Sequence, residues 1–267
     1  MRQQPSTFRW MGSVTAAALL SLGLAGCQTT GLSDITGALG SRAEARADAD
    51  PARAAQIAGE RYRANPKSAE AAMRFGQALR KSGQRAQAVA VLEQATLIHP
   101  TDRPLLGLYG KALVDNGDFQ KAFDILGRAH TPANPDWRIL SVQGTALDQL
   151  GRHDEARRYY ASALKIMPDE PSVLSNLGMS YVLTKELPQA EQVLRRAYAR
   201  PNAGSRVRQN LALVVGLQGR FAEAESIVKA DLPPDEAAAN VAYLKQMLNG
   251  RQRPQVGEAS MGTRRQS

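Results

Sequence analysis

An all-α solenoid, a stack of helix-turn-helix units, is the fold this sequence predicts, and three observations predict it. Gly76, Gly110, Gly144 and Gly178 are each 34 residues apart, and Ala212 continues the series. Twelve residues after each of these stands an alanine (Ala88, Ala122, Ala156, Ala190, Ala224), followed four residues later by Leu92, Leu126, Tyr160, Leu194 and Val228. Between the two lies a turn position held by Gly83, Gly117, Gly151 and Gly219, with Lys185 in the remaining unit. Apolar residues at i, i+3, i+4 and i+7 define one face of a helix, and small residues on that face let two helix backbones approach closely.

The chain opens with Arg2 and Arg9 and then an apolar run from Met11 to Leu24, which is too short to span a membrane and is the length of a signal-peptide core. The run ends in Leu24-Ala25-Gly26-Cys27, where Cys27 is the single cysteine of the 267 residues. This tetrapeptide resembles the bacterial lipobox, which implies cleavage after residue 26 and lipidation of Cys27. Gln28 follows instead of the aspartate that marks inner-membrane retention in the enterobacterial pattern. The resemblance therefore implies a lipid anchor in the outer membrane, with the protein on its periplasmic face. Residues 1–26 are the expected signal peptide and 27–47, rich in Gly, Ser and Thr, the expected flexible linker.

Ala54, Ala58 and Pro66 fit the register of a lone second helix, so 48–66 is expected to be a capping half repeat. Five repeats follow, at 69–102, 103–136, 137–170, 171–204 and 205–236. Proline closes the unit at Pro66, Pro100 and Pro168, where it cannot continue the helix before it. The segment 237–249 is expected to form a C-terminal capping helix, with Val241, Leu244 and Leu248 on one face and Asn249-Gly250 as its stop. Residues 250–267 are expected to be a disordered basic tail carrying Arg251, Arg253, Arg264 and Arg265 against Glu258.

The 34-residue unit, its small residues and its closing prolines resemble the tetratricopeptide repeat, which implies a right-handed superhelix of helix pairs with terminal capping helices. Stability has to come from packing, because a chain with one cysteine forms no internal disulfide. The formal charge of +9 falls to +7 once Arg2 and Arg9 leave, and the remaining excess is dispersed over the chain. No basic motif of known geometry occurs, so nucleic acid is not an expected partner.

Chemistry finds no support in the residue pattern. His99, His130 and His153 stand at unrelated positions of three repeats without a ligand cluster and are read as surface or turn residues. No phosphate loop, dinucleotide fingerprint or nucleophile elbow is present. The expectation is a protein that is not an enzyme, with no cofactor, no metal and no small-molecule substrate.

Binding is the output such stacks deliver, through a concave wall formed by each unit's first helix. In the repeat family that wall uses positions 2, 5, 9, 12 and 13 of the repeat. Carried over, these positions give a polar surface at the start, with Glu70, Met73, Gln77, Arg80 and Lys81 in the first repeat and Arg138, Ser141, Thr145, Asp148 and Gln149 in the third. The fourth and fifth repeats contribute Met179, Val182, Leu183, Leu213 and Leu217, an apolar strip expected to receive an amphipathic or extended segment of a protein partner. The equal alternative is that the strip packs against 235–249 or broadens the core. Glu70, Met73 and Gln77 occupy the positions of the family's carboxylate clamp, so clamp activity is not expected even though Asn176 and Asn210 recur 34 residues apart.

The closing stretch narrows the resemblance. Arg206-Val207-Arg208-Gln209-Asn210-Leu211-Ala212-Leu213, Gln218-Gly219-Arg220-Phe221-Ala222-Glu223-Ala224-Glu225, Asp231-Leu232-Pro233-Pro234 and Ala239-Asn240-Val241-Ala242-Tyr243-Leu244, together with the lipobox, are similar to the TadD-like lipoproteins of the Flp (tight adherence, Tad) pilus apparatus. That resemblance implies a pilotin or scaffold that supports the secretin or other pilus assembly components. The alternatives are an NlpI-like scaffold for peptidoglycan enzymes and a BamD-like subunit of outer-membrane assembly.

Overall fold

The computed structural model describes residues 50–251. The expected signal peptide, Cys27, the linker 27–47 and the tail beyond 251 lie outside the described residues. Among these residues all regular structure is helical apart from an isolated bridge between Thr131 and Asn134, in agreement with the all-α solenoid expected from the repeat. A lone helix α1 (Pro51–Ala64) precedes five pairs. These are α2 (Ala69–Lys81) with α3 (Arg85–Ile98), α4 (Arg103–Asn116) with α5 (Phe119–Arg128), and α6 (Trp137–Gln149) with α7 (His153–Ile166). Then come α8 (Pro171–Leu183) with α9 (Leu187–Tyr198) and α10 (Ser205–Leu217) with α11 (Phe221–Val228), before a closing helix α12 (Pro234–Arg251).

The repeat sets where the first helices begin. Ser68, Asp102, Asp136 and Glu170, spaced by 34, each accept a hydrogen bond from a backbone N–H of the turn that follows, and Asp50 does the same for α1. Such caps satisfy donors that the first turn of a helix cannot pair internally, each contributing about 1 kcal/mol. Gly204 offers no side chain at the corresponding place before α10. None of the second helices α3, α5, α7, α9 and α11 has a side-chain cap, so their starts depend on the turn.

Each first helix also ends in one way. The turn residue takes a left-handed backbone, with φ of +77° at Gly83 and +63° at Lys185. The next residue then returns a backbone N–H to a carbonyl five residues earlier, as Arg152 does to Leu147 and Glu186 to Tyr181, both at 2.9 Å. This is the Schellman closure, which satisfies the last carbonyls and reverses the chain.

Packing within a pair follows from the small residue. Gly76, Gly144 and Gly178 face Leu92, Tyr160 and Leu194, and a Cβ on any of the three would stand 2.6 Å from that partner. The partners are wholly or almost wholly buried, each side chain contributing roughly 1.5–3 kcal/mol of burial. Between pairs, every first helix also touches the next first helix, which places α2, α4, α6, α8 and α10 side by side. Ion pairs such as Lys121 to Glu93 (2.6 Å) and Arg157 to Glu186 (3.1 Å) tie neighbouring units together on partly exposed surface, where each is worth at most about 1 kcal/mol.

α12 packs on both α10 and α11, as each first helix packs on the pair before it. Its buried residues Ala237 and Val241 lie on one face with the half-buried Leu244 and Leu248, and Leu244 covers Gly216. The helix continues past Asn249-Gly250 to Arg251, because one glycine in a final turn costs only about 1 kcal/mol.

Candidate functional site

The side-by-side first helices form a wall, and side-chain hydrogen bonds cross the seams between α2 and α4, α6 and α8, and α8 and α10. Asn176 Nδ2 donates to Ser141 Oγ at 3.1 Å, joining α8 to α6, and Asn210 Nδ2 donates to Ser175 Oγ at 2.8 Å, joining α10 to α8. Arg80 joins α2 to α4 through Asp115 at 2.6 Å. The 34-residue recurrence of Asn176 and Asn210 thus serves inter-repeat contact. A serine 35 residues before each asparagine was the sequence signal for it.

Asp148 is a buried carboxylate of the wall, its side chain 5% exposed. It accepts hydrogen bonds from Ser180 Oγ (2.8 Å) and Tyr160 Oη (2.9 Å), and His153 Nδ1 lies 2.9 Å from it. Burial, and then the Asp148 carboxylate, push the Tyr160 phenol well above its ordinary range. His153, expected as a surface or turn residue, stands at the start of α7 just after the turn, 24% exposed, with its imidazole engaged by the buried carboxylate. His99 and His130 are held as well, by Lys67 O (2.8 Å) and Gln143 Oε1 (3.0 Å). In the Asp148 cluster both the hydroxyls and the imidazole converge on the carboxylate. A nucleophile relay instead places the histidine between hydroxyl and acid. The cluster ties α6, α7 and α8 together.

The five residues of the expected apolar strip occupy different surroundings. Leu183 is 48% exposed, while Met179 and Leu217 are half-buried. Val182 packs against the core cluster that runs from α9 to α12. Leu213 lines a cavity of about 540 Å³ between α10 and α12, together with Tyr243, Leu244 and Met247. The C-terminal helix therefore takes up the Leu213 end of the strip, and Leu183 is its most open part.

A second cavity, of about 510 Å³, was not foreseen from sequence. It lies between α4 and α6, walled by the loop after the short helix α5, and Lys111, Arg103 and Arg138 reach its rim. Gly107 forms part of its lining, with Ile139 Cδ1 at 2.8 Å from where a Cβ would stand. The legible signal was Gly107 and Lys111 at two wall positions of one repeat, followed by Arg138 at a wall position of the next.

Among the described residues no helix is long and apolar enough to cross a membrane, and no group of three or more His, Cys, Asp or Glu is placed to hold a metal ion.

Comparison with known proteins gives two family matches. Residues 49–129 match the family described as anaphase-promoting complex, cyclosome, subunit 3, and residues 147–213 match a tetratricopeptide-repeat family. Among curated proteins, the BBSome complex member BBS4 of Bos taurus is 24% identical over 144 residues, which is 54% of this chain and 28% of BBS4. Among solved structures, PilW, a widely conserved type IV pilus biogenesis factor, aligns with a TM-score of 0.63 at 18% identity, covering 80% of this chain and 100% of PilW. TTC0263, a thermophilic repeat protein of Thermus thermophilus, aligns with a TM-score of 0.59 at 21% identity, over 67% of this chain and 100% of its own. At these identities the likeness is one of fold.

Proposed function

We propose that this chain, which folds as a tetratricopeptide-repeat solenoid, is the protein-binding scaffold of an outer-membrane lipoprotein in Flp (Tad) pilus assembly, supporting the secretin. The observation that carries the scaffold role is the continuous wall of first helices, presented as one preorganised surface. A rigid surface of this kind loses little entropy on binding a segment of another protein. The membrane and pilus parts of the reading are supported by the Leu24-Ala25-Gly26-Cys27 lipobox and by the closing stretch 206–244. PilW is itself a pilus biogenesis factor of the same fold. Tethering through Cys27 would make capture of a second membrane-associated protein effectively intramolecular, so modest affinity per contact suffices.

The apolar strip Met179, Val182, Leu183, Leu213 and Leu217 is the proposed contact surface for the pilus component, centred on Leu183. The test is crosslinking in intact cells of a C-terminally tagged chain beside a Cys27→Ser twin, with mass spectrometry of the outer-membrane fraction. Recovery of secretin with the tagged chain, lost in the twin and reduced by Leu183→Asp, is the expected result. Recovery of peptidoglycan enzymes or barrel-assembly subunits in place of secretin overturns the pilus reading. Unchanged capture by a folded Leu183→Asp chain overturns the strip.

A further inference from the structure

We propose that the cavity between α4 and α6 is a separate recognition site for an acidic segment of a partner protein, whose glutamate or aspartate side chains reach Lys111, Arg103 and Arg138. The inference rests on the scaffold part of the function above and not on the pilus part.

The charges are unbalanced in a specific way. Among the described residues none of Lys111, Arg103 and Arg138 makes an ion pair, whereas the neighbouring Arg80 is held by Asp115. The one carboxylate of the lining is Asp136, and it is engaged in capping α6 through the N–H of Arg138 at 2.7 Å. Lys111 is half-buried, so it has lost part of its water without gaining a counter-ion. Burial, then the cations Arg80 and Arg138, push its ammonium below the usual lysine range, with Asp136 acting in the opposite direction. A carboxylate arriving here would meet a partly desolvated cation, where charge-assisted hydrogen bonds are strongest.

The walls match a peptide better than a bare anion. Pro104, Leu108, Pro135, Trp137 and Ile139 line the same space and offer apolar contact beside the charges. The Arg138 guanidinium lies 4.5 Å from the Trp137 ring centroid, so it is placed by a cation–π contact while its N–H groups keep their donor capacity. His130 adds a buried Nδ1 with no hydrogen-bond partner in the structure. An ion of phosphate size would leave most of about 510 Å³ unfilled.

Fluorescence anisotropy with the purified full chain tests the site. The probe is a labelled octapeptide alternating glutamate with leucine, beside a twin carrying glutamine for glutamate. The expected result is saturable binding of the acidic peptide, a loss of about tenfold in each of Lys111→Gln and Arg138→Gln, the effect of removing one charge-assisted contact, and a larger loss, about a hundredfold, for the twin, which gives up both contacts. Lys165→Gln, at an exposed lysine on α7 outside the cavity, is expected to bind as the native chain does. Arg138 is exposed, so its substitution leaves the fold intact and remains informative if Lys111→Gln unfolds. Absence of saturable binding, equal binding of the twin, or native affinity in both cavity variants overturns the proposal. So does competition by inorganic phosphate at the peptide's own concentration, which would assign a small-anion site. Recovery of a different envelope partner in the crosslinking experiment would leave this result standing, so failure of the pilus reading and failure of the cavity are distinguishable.

Discussion

The backbone of Gly144 lies against the ring of Tyr160, so that a Cβ at residue 144 would stand 2.6 Å from Tyr160 Cε1. Tyr160 is 1% exposed, and its hydroxyl is fixed to Asp148, so the ring has no free direction in which to yield. Gly144→Ala is therefore expected to destabilise the chain by roughly 1–3 kcal/mol, the range for overpacking a filled core. Gly127→Ala, in α5 with only Gln143 Nε2 within 4 Å of the new Cβ, is expected to be neutral or to stabilise by up to about 1 kcal/mol. Urea unfolding of the two variants beside the native chain checks the contrast.

Asp148 gathers three polar partners from α7 and α8; removing its carboxylate strands the buried Ser180 hydroxyl and leaves Tyr160 only its 3.4 Å contact with Thr145. Asp148→Ala is expected to cost roughly 2–3 kcal/mol, the scale for hydrogen bonds to a charged group and for the donors left unpaired. A double-mutant cycle with Ser180→Ala should show coupling of about 0.5 kcal/mol or more between α6 and α8. Additive effects would mean that the Asp148–Ser180 hydrogen bond contributes nothing to the seam.

Burial raises the phenols of both Tyr160 and Tyr109 above the ordinary value of 10.0. A raised folded-state value means that the stabilisation is fully present below pH 10 and falls as the pH rises toward the folded value. The unfolded chain releases the proton first, and stability drops by at most about 1.4 kcal/mol per pH unit for a tyrosine that stays protonated in the folded chain. Urea midpoints measured between pH 9 and 11.5 are expected to fall, and Tyr160→Phe should flatten the slope by one tyrosine's share. A midpoint independent of pH in that range would refute the buried-phenol account.

Lys185 occupies the left-handed turn position that glycine fills in the other repeats, with φ of +63°. A side chain in that conformation costs about 1–2 kcal/mol, partly offset by the smaller unfolded-state entropy of lysine relative to glycine. Lys185→Gly is expected to stabilise the chain by about 0.5–1 kcal/mol, read as a higher midpoint in thermal or urea unfolding. A lower midpoint would show that the Lys185 side chain makes a compensating contact.

The sequence by itself determined the fold class, because the determinants of each pair are local and recur every 34 residues. Capping side chains at 68, 102, 136 and 170, small residues at 76, 110, 144 and 178, and left-handed turns at 83, 117, 151 and 219 act within one unit, and repetition makes them visible. The tertiary structure alone decided what the wall presents. That Asn176 meets Ser141, that Ser180 and His153 meet Asp148, and that Leu213 faces Tyr243 and Met247 depend on how one helix lies beside a helix of the next unit. The cavity at Lys111 depends in the same way on an absent side chain at Gly107, a shortened α5 and a loop before α6. Charge and burial at such a place are set by the atoms around it in three dimensions, and neither periodicity nor composition carries them.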